Sequence, residues 1–229
     1  MIRIIITYIF IFSYAISGER IAIATKIIGN AHFVRGNGSK SVIKKGQIFE
    51  TGDILSTKKG GFVALLFIDD KTALKIKENS KLTISGKRSA KAIAKEIKLE
   101  RGTLRAIVGK QKQADFVIRT SVSVASVKGT DFWIISNKSS DSIIGLEGKV
   151  EFLNIISGEL LDITRGKTAI SSSSGDLRSF KTDPKNIPED PSDDGKDEQK
   201  LEIEFEDGHI QEGITVPINA NFFWPDVEL

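Results

Sequence analysis

Residues able to perform acid–base or metal chemistry are scarce in this chain. Its only histidines, His32 and His209, lie at no spacing typical of a Ser/His/Asp triad or a metal site. Asp69-Asp70 is a carboxylate pair adjacent in sequence, and neighbouring residues of a strand point to opposite faces, so adjacency builds no acid/base pair. Cysteine is absent, which excludes disulfides, thiolate metal sites and a cysteine nucleophile. We therefore expect a protein that is not an enzyme.

A second acidic run, residues 193–198, resembles a calcium loop only in its charge. It lacks the alternating oxygen ligands of such a loop. No glycine-rich loop of the phosphate-binding kind precedes a helix. The sequence accordingly predicts neither a metal nor a cofactor.

The clearest positive signal is basic. Residues 81–112 hold ten Lys and Arg against two Glu, a density that attracts anions over about 8–10 Å at ordinary salt. The candidate contacts are Lys87, Arg88, Lys91 and Lys95. An acidic envelope protein, an anionic glycan, lipid headgroups or the chain's own tail fit this patch better than nucleic acid. The alternative is a solvated strand face that binds nothing.

Charge divides unevenly along the chain. Residues 1–180 hold 29 bases and 16 acids, a net charge of +13, whereas residues 181–229 hold 4 bases and 14 acids, a net charge of −10. A basic body with an acidic tail allows the tail to screen the body or to meet a different partner. Solubility alone is the simpler explanation.

The N-terminus has the composition of a secretory leader. Arg3 precedes a 13-residue apolar run, Ile4–Ile16, and Ala15 and Ser17 occupy the −3 and −1 positions of a cut before Gly18. A bilayer span needs about 20 apolar residues, so a permanent anchor or a buried strand fits less well. The sequence predicts a signal peptide over 1–17, and an exported mature chain, periplasmic or secreted, with no integral membrane span.

From about residue 27 to 172, short apolar runs repeat with period two, the pattern of β-strands. Phe62–Ile68 and Phe132–Ile135 are apolar on both faces, which fits strands covered on both sides. Ser89–Lys98 has helical propensity, but Ile93 and Ile97 also fit a strand, which we favour. Turn signals, including Asn37-Gly38 and Arg101-Gly102, separate the runs. The pattern predicts an all-β fold, a double-sheet sandwich or jelly roll.

The C-terminal part differs in composition. Residues 175–200 contain prolines and many acids, which predicts a flexible acidic linker, disordered or, over residues 183–200, extended. Residues 201–229 regain apolar alternation and end in the aromatic cluster Phe222, Phe223 and Trp224. That cluster either packs back on the body, which we expect, or docks a partner.

The run from Ile27 to Ile170 resembles the FecR domain. The landmarks stand in the family's order: a "G-D-x-I-x-T" turn at 52–57, a strand hairpin at 65–76, "L-x-x-G-x-L" at 99–104, "V-x-G-T-x-F" at 127–132 and "L-E-G-x-V" at 146–150. Asp70 departs from the pattern, since it stands where the family usually has Gly. The fold-defining turn residues that the resemblance implies are Gly52, Asp53, Gly102, Gly129, Thr130, Gly148 and Gly166.

The resemblance implies a jelly-roll-like β-domain, over 18–174, in an extracytoplasmic space. Known members pass iron-transport signals to a sigma factor through a membrane span that precedes the domain, and no such span is evident here. We therefore expect a non-catalytic binding or scaffold module of the bacterial cell envelope. The alternatives are a ligand sensor that feeds a separate regulator, and a glycan hydrolase, for which no pair of catalytic carboxylates is evident.

Overall fold

The alternating runs form strands throughout the body of the chain, and they stack as two sheets. The structure is a computed structural model that describes residues 18–88, 93–110, 115–192, 199–201 and 214–216. In this part of the chain there is no α-helix, and one short 3₁₀ turn spans Pro184–Asn186. The predicted all-β, double-sheet architecture is confirmed.

Seventeen strands build the body. In chain order they are β1 (Arg20–Ile28), β2 (Ala31–Val34), β3 (Ser41–Val42), β4 (Ile48–Glu50), β5 (Asp53–Thr57), β6 (Phe62–Phe67), β7 (Ala73–Ile76), β8 (Lys81–Arg88), β9 (Ile93–Val108), β10 (Phe116–Arg119), β11 (Ser123–Val127), β12 (Thr130–Ser136), β13 (Ser140–Glu147), β14 (Lys149–Asn154), β15 (Leu160–Thr164), β16 (Lys167–Ser172) and β17 (Leu177–Lys181). Two further short strands, β18 (Gln199–Leu201) and β19 (Ile214–Val216), pair with each other.

The strands divide between two sheets that share β9. Sheet A runs β4-β1-β6-β7-β9-β12-β13-β16-β17, and sheet B runs β3-β2-β5-β8-β9-β10-β11-β14-β15. The β9–β10 pair is parallel and the other pairs are antiparallel. Consecutive hairpins that alternate between the sheets place distant parts of the chain side by side.

The core lies between the sheets and is formed by one side of each strand. Its largest members are aromatic and fully buried, among them Phe49, Phe67, Phe116, Phe132 and Phe152. Each buried aromatic ring contributes roughly 2–3 kcal/mol of hydrophobic free energy relative to an exposed one. Period two therefore determines which residues face the core and which face outward.

The turn predicted at Arg101-Gly102 is wrong. Strand β9 runs without interruption through Gly102, which has a φ of +117°. Before Gly102 the strand pairs in sheet B, and from Gly102 onward it pairs with β12 in sheet A. A Cβ on Gly102 would lie 2.2 Å from Ser80 Oγ. Glycine is needed here because the strand bends between the sheets at a point where another backbone approaches closely.

Two of the other turn glycines meet. Gly148, with a φ of +73°, separates β13 from β14, and Gly129 directly precedes β12. A Cβ on Gly148 would lie 2.4 Å from the carbonyl oxygen of Gly129 and 2.9 Å from Thr130 Cγ2. The landmarks at 127–132 and 146–150, distant in sequence, thus form one packed corner. Gly166 occupies the turn between β15 and β16, with a φ of +76°.

The landmark at 52–57 is held by its polar side chains. Gly52 closes the turn between β4 and β5, and the buried Asp53 accepts hydrogen bonds from Arg35 Nε at 3.0 Å and from the backbone N–H of Glu50 at 2.9 Å. The hydrogen bond with Asp53 and the charges of Asp53 and Glu50 raise the pKa of Arg35 despite its partial burial. Thr57 Oγ1 donates to the carbonyl of Lys77 at 2.6 Å. Asp53 thus fixes a turn of the fold.

The flexible linker predicted over residues 175–200 is wrong for residues 175–192. Strand β17 adds to the edge of sheet A, and Asp183 caps the 3₁₀ turn that follows. Beyond that turn, Ser192 is buried. Acids and prolines suggested a solvated chain, but the acidic segment is held against the body by basic side chains.

Other sequence-based predictions lie outside the described residues. These are the leader over 1–17, the acidic run at 193–198 and the aromatic cluster at 222–224. Within the extension at 201–229, the structure describes only the backbone of the short strands β18 and β19.

Candidate binding surface

A row of side chains crosses the outer face of sheet A, the face turned away from the core. Cross-strand register places Lys75 beside Arg105, Arg105 beside Trp133, and Trp133 beside Ile144. Their sequence neighbours Leu74, Ala106, Phe132 and Ile143 face the core, which fixes the outward direction of the row. Even so, Trp133 and Ile144 are each only 1% exposed. Their low exposure indicates that another part of the chain packs over this face.

The C-terminal segment of the body reaches this face, where Glu189 and Asp190 bond to its basic side chains. Residues 182–192, here called the strap, leave the edge strand β17 and end at the far side of the row. From β17 to β7, sheet A contains six neighbouring strands, a distance of roughly 24 Å at the usual strand spacing. Eight residues lie between Lys181 and Asp190, and three of them form the 3₁₀ turn Pro184–Asn186. With about 3.3 Å per extended step and about 2 Å per 3₁₀ residue, this segment reaches roughly 26 Å, enough for the crossing. The strap therefore crosses the sheet at a steep angle to its strands.

Asp190 ends this crossing in a buried ionic network. Its Oδ2 accepts from Lys75 Nζ at 2.7 Å and from Arg105 Nη1 at 2.9 Å. The guanidinium of Arg105 also donates two hydrogen bonds to Asp131, from Nε to Oδ1 at 2.9 Å and from Nη2 to Oδ2 at 2.7 Å. The side chains of Asp190 and Lys75 are only 4% and 6% exposed. Two cations and two carboxylates thus neutralise each other beneath the strap.

The strap positions its own carboxylate. Ser192 donates to Asp190 Oδ1 from its backbone N–H at 3.0 Å and from Oγ at 2.6 Å. The body adds a contact with the main chain, because Lys77 Nζ donates to the carbonyl of Glu189 at 2.8 Å. Both oxygens of Asp190 are therefore bonded, and the backbone beside it is recognised as well.

The ionisation of the network follows from these contacts. Burial alone would raise the pKa of Asp190, but hydrogen bonds from Lys75 and Ser192 outweigh it and lower the pKa below its usual value. Burial alone would lower the pKa of Arg105, but hydrogen bonds and charge from Asp131 and Asp190 raise it above its usual value. At neutral pH both groups are charged, so the network is a true ionic contact.

Trp133 forms the floor of this surface. Lys77 Nζ lies 5.9 Å and the guanidinium carbon of Arg105 lies 6.0 Å from its ring. Cations at this distance from an indole are attracted by its π face. We name the outer-face group Lys75, Lys77, Arg105, Asp131 and Trp133 the cationic face. It combines an aromatic floor, cationic donors and one fixed carboxylate.

The second basic cluster corrects a sequence-based prediction. Lys95 was expected on an exposed contact patch, but its side chain is 1% exposed and points into the sandwich beside Phe67. Its Nζ lies 2.8 Å from Asp69 Oδ2 and 2.9 Å from Asp70 Oδ2. The adjacent carboxylates thus converge on one lysine, because they lie in a turn rather than a strand. Lys95 in this arrangement is not available to an external anion.

The remaining candidate contacts are only partly described. Lys87 is exposed, near the end of β8. Lys91 and the cluster at 222–224 lie outside the described residues, and Arg88 is described by its backbone alone. Of the candidate contacts whose side chains the structure describes, Lys87 is exposed and Lys95 is buried.

A buried polar group occupies another part of the sandwich, between the sheets. Asp141 pairs in register with Ser136 and Ser171, while Ser123 pairs with Asn154 in sheet B. Asn154 Nδ2 donates to Ser171 Oγ at 2.8 Å, and Thr120 Oγ1 donates to Asp141 Oδ2. Three buried atoms have no protein partner: Asp141 Oδ1, Ser123 Oγ and Ser136 Oγ. We name this group the polar pole.

Sequence reasoning missed the cationic face and the polar pole, although the sequence held some signals for the outer face and for the burial of Lys95. The apolar run through Trp133 indicated a strand covered on both faces. Lys95 has the same parity as Ile93 and Ile97, which marks it as core-facing. For Asp190, nothing in the acidic segment distinguished it from its neighbours.

Two searches of the described residues gave negative results. No cluster of three or more His, Asp or Glu there has the geometry to hold a metal ion. No helix in this part of the chain has the length and apolarity of a membrane span.

Comparison with protein-family models gives a match over part of the chain. Residues 53–151 match the family model described as FecR protein. Two crystal structures of a protein from Parabacteroides distasonis, described as a "putative anti-sigma factor", match with 15% sequence identity and TM-scores of 0.49 and 0.48. Each match covers 57% of this chain and spans 60% of the length of that chain. Comparison with curated proteins gave no match.

Proposed function

Since this chain carries a FecR domain at residues 53–151, we propose that it is an exported, non-catalytic module that binds a protein partner in the cell envelope. One observation carries the proposal: the cationic face already holds a peptide segment, the strap, through buried charged contacts. A surface that holds an extended segment by side chains, without strand pairing, has the properties of a peptide-binding site. Export is supported by the leader-like composition of residues 1–17.

The absence of enzymatic function is supported by the chemistry of the described side chains. The carboxylates of Asp53, Asp131 and Asp190 are each engaged in an ion pair with arginine or lysine, so none of the three is placed as a free acid or base. Fold alone confers no activity. The geometry of the cationic face is suited to binding a partner.

Export is tested by mass spectrometry of the mature protein. We expect an N-terminus at or shortly after Gly18, and recovery from the envelope or the medium. Recovery from the cytosol alone, with Met1 retained, would contradict the export step.

Partner binding is tested by photo-crosslinking in the intact envelope. A photoreactive residue at position 135, on the outer face of sheet A, should give a discrete adduct with one protein. The matched control places the same residue at Lys98, exposed on the outer face of sheet B, and should give none. Identical adducts from both positions, or none from position 135, would contradict binding through sheet A.

A second candidate function, an extracytoplasmic sensor of a small polar ligand, is favoured by the polar pole. Unpartnered buried polar atoms are costly, and a bound molecule or water relieves the cost. A thermal-shift screen with siderophores and glycans tests this function. A ligand that stabilises the wild-type protein, but not a variant carrying Ser123→Ala and Ser136→Ala, supports the sensor, and a flat screen contradicts it.

A further inference from the structure

The seat of Asp190 is built by the body and does not depend on the strap. Arg105 is held in place by its two hydrogen bonds to Asp131, a neighbour on β12. Lys75 and Arg105 are cross-strand partners, so the sheet itself sets their separation. When Asp190 departs, the guanidinium therefore keeps its orientation. A carboxylate site fixed in advance binds an incoming carboxylate with little ordering cost.

The strap is attached in a way that permits release. No described strand pairing includes residues 182–192, and Pro184, Pro188 and Pro191 lack the N–H that a ladder requires. At its far end the strap is held by side chains of the body, namely Lys75, Lys77 and Arg105. Lifting the strap therefore breaks side-chain contacts but leaves every strand pair of sheet A intact.

The contacts recognise a peptide in particular. Lys77 binds the backbone carbonyl of Glu189, and the next residue supplies the carboxylate to Lys75 and Arg105. A carbonyl followed at once by an aspartate is a feature of polypeptide, which neither a lipid headgroup nor a uronic acid reproduces. The strap holds three acids, Asp183, Glu189 and Asp190, against one base, Lys185. The carboxylate of Asp190 meets the cations of the face, so charge complementarity adds to the geometry.

We propose that the strap is an intramolecular stand-in for an acidic, extended segment of the partner protein, which displaces the strap and places its own aspartate between Lys75 and Arg105. This inference rests on the proposed function and specifies its partner chemistry and its regulation. The strap lowers the apparent affinity of the cationic face for any segment in trans. The apparent affinity is the intrinsic affinity multiplied by the fraction of molecules in which the strap is open. Binding is thereby limited to segments that present the carbonyl and the carboxylate together.

The test uses the full mature chain and a labelled synthetic peptide with the sequence of residues 183–194. A matched peptide carries Asn in place of Asp190. Binding is measured by fluorescence anisotropy to the wild-type chain and to the Asp190→Ala chain. We expect the Asp peptide to bind the Asp190→Ala chain about tenfold more tightly than the wild-type chain, because the competing carboxylate is gone. The Asn peptide should bind about tenfold more weakly than the Asp peptide.

Controls separate recognition from general charge attraction. Lys98→Ala, which removes an exposed cation from the other sheet, should leave peptide affinity unchanged in the Asp190→Ala background. Equal affinity for the Asp and Asn peptides would overturn the inference. Equal affinity of the wild-type and Asp190→Ala chains for the Asp peptide would overturn it too.

A measurement on the wild-type chain guards against misfolding of the variant. Excess Asp peptide should speed hydrogen exchange in residues 187–192 and leave β12 unchanged, and unchanged exchange in the strap would overturn the inference. An Asp190→Ala chain that becomes a dimer, as measured by light scattering, would mean that copies exchange straps, which overturns the partner assignment. If envelope crosslinking finds a partner at position 135 but the peptides fail, the proposed function stands and this inference falls.

Discussion

Two clusters of buried cations in this molecule are held in different ways. Lys95 points into the sandwich and is neutralised by Asp69 and Asp70, which belong to the turn between β6 and β7. Lys75 and Arg105 point out of the sandwich and are neutralised in part by Asp190, which belongs to the strap. The side chains are excluded from solvent to a similar degree, but the first cluster belongs to the core and the second to a segment laid over a finished sheet.

The difference shows which buried charge is structural and which is available for function. Lys95 packs against the core residue Phe67, so its exposure to water requires the sandwich itself to open, and loss of its carboxylates destabilises the domain as a whole. Water reaches Lys75 as soon as the strap lifts, and the sheet beneath remains paired. Local opening of a loosely held segment costs far less than global unfolding. Similar burial therefore corresponds to different free energies of exposure.

The largest expected effect is at Lys95. Replacing both Asp69 and Asp70 by Asn removes its carboxylates, and the free energy of unfolding should fall by about 3 kcal/mol, the cost of a buried charge without a counterion. Chemical denaturation measures this loss. Adding Lys95→Met should restore much of it, because an apolar side chain needs no counterion there. As a control, Asp162→Ala, which breaks an exposed pair with Lys149, should leave the free energy of unfolding unchanged.

At the strap, Asp190→Ala should cost about 2 kcal/mol, and the cost should be local. Hydrogen exchange should quicken in residues 184–192, and Trp133 should become accessible to a quencher in a Trp224→Phe background. Amides of β12 and β13 should keep their protection. Equal loss of protection in the strap and in these strands would show that the strap is an integral part of the core, and the comparison between the clusters would fail.

The fold was largely predictable because its signals are local. Period two placed the strands, and the glycine turns at Gly52, Gly148 and Gly166 mark real strand ends. Gly102 misled because a glycine with positive φ serves equally in a turn and at a strand bend, and only the approach of Ser80 distinguishes the two. Lys95 was predicted to be exposed because its charge was given more weight than its position on the same side of the strand as Ile93 and Ile97.

The cationic face was not predictable in the same way. Lys75 and Asp190 are 115 residues apart, and Arg105 and Asp190 are 85 apart. No period or spacing in one sequence indicates which of many acids meets which base at such distances. The strap, rich in proline and acid, has the composition of a linker. It becomes ordered only because sheet A presents the complementary charges.

Acid should release the strap. The folded-state pKa of Asp190 lies below its usual value of about 3.9, so the stabilisation is present above that value and is lost as pH falls through the folded-state pKa. Lys75, Lys77, Arg105 and Asp131 face this carboxyl. In a Trp224→Phe chain, Trp133 fluorescence should be flat from pH 5 to 8 and change only in acid.

The matched variant for this titration is Asp190→Asn, which has no proton to gain at this position. It should show no strap transition, while far-UV circular dichroism follows the body separately. The effect should be smaller than that of Asp190→Ala, since a protonated carboxyl still hydrogen-bonds. A transition of equal size in Asp190→Asn would assign the transition to a group other than Asp190.

The smallest expected effect comes from Arg105→Lys, which keeps the charge but loses the planar fork. An ammonium cannot bind both oxygens of Asp131 and still reach Asp190, so it must leave one of them. We expect a loss of about 1 kcal/mol, seen as faster hydrogen exchange in the strap, with little change in global unfolding. Arg178→Lys, on the exposed side of β17, should have no effect. Arg105→Lys could instead lower the free energy of global unfolding as much as the double substitution at Asp69 and Asp70. The outer network would then be as much a part of the core as Lys95, and the strap could not act as a releasable cover.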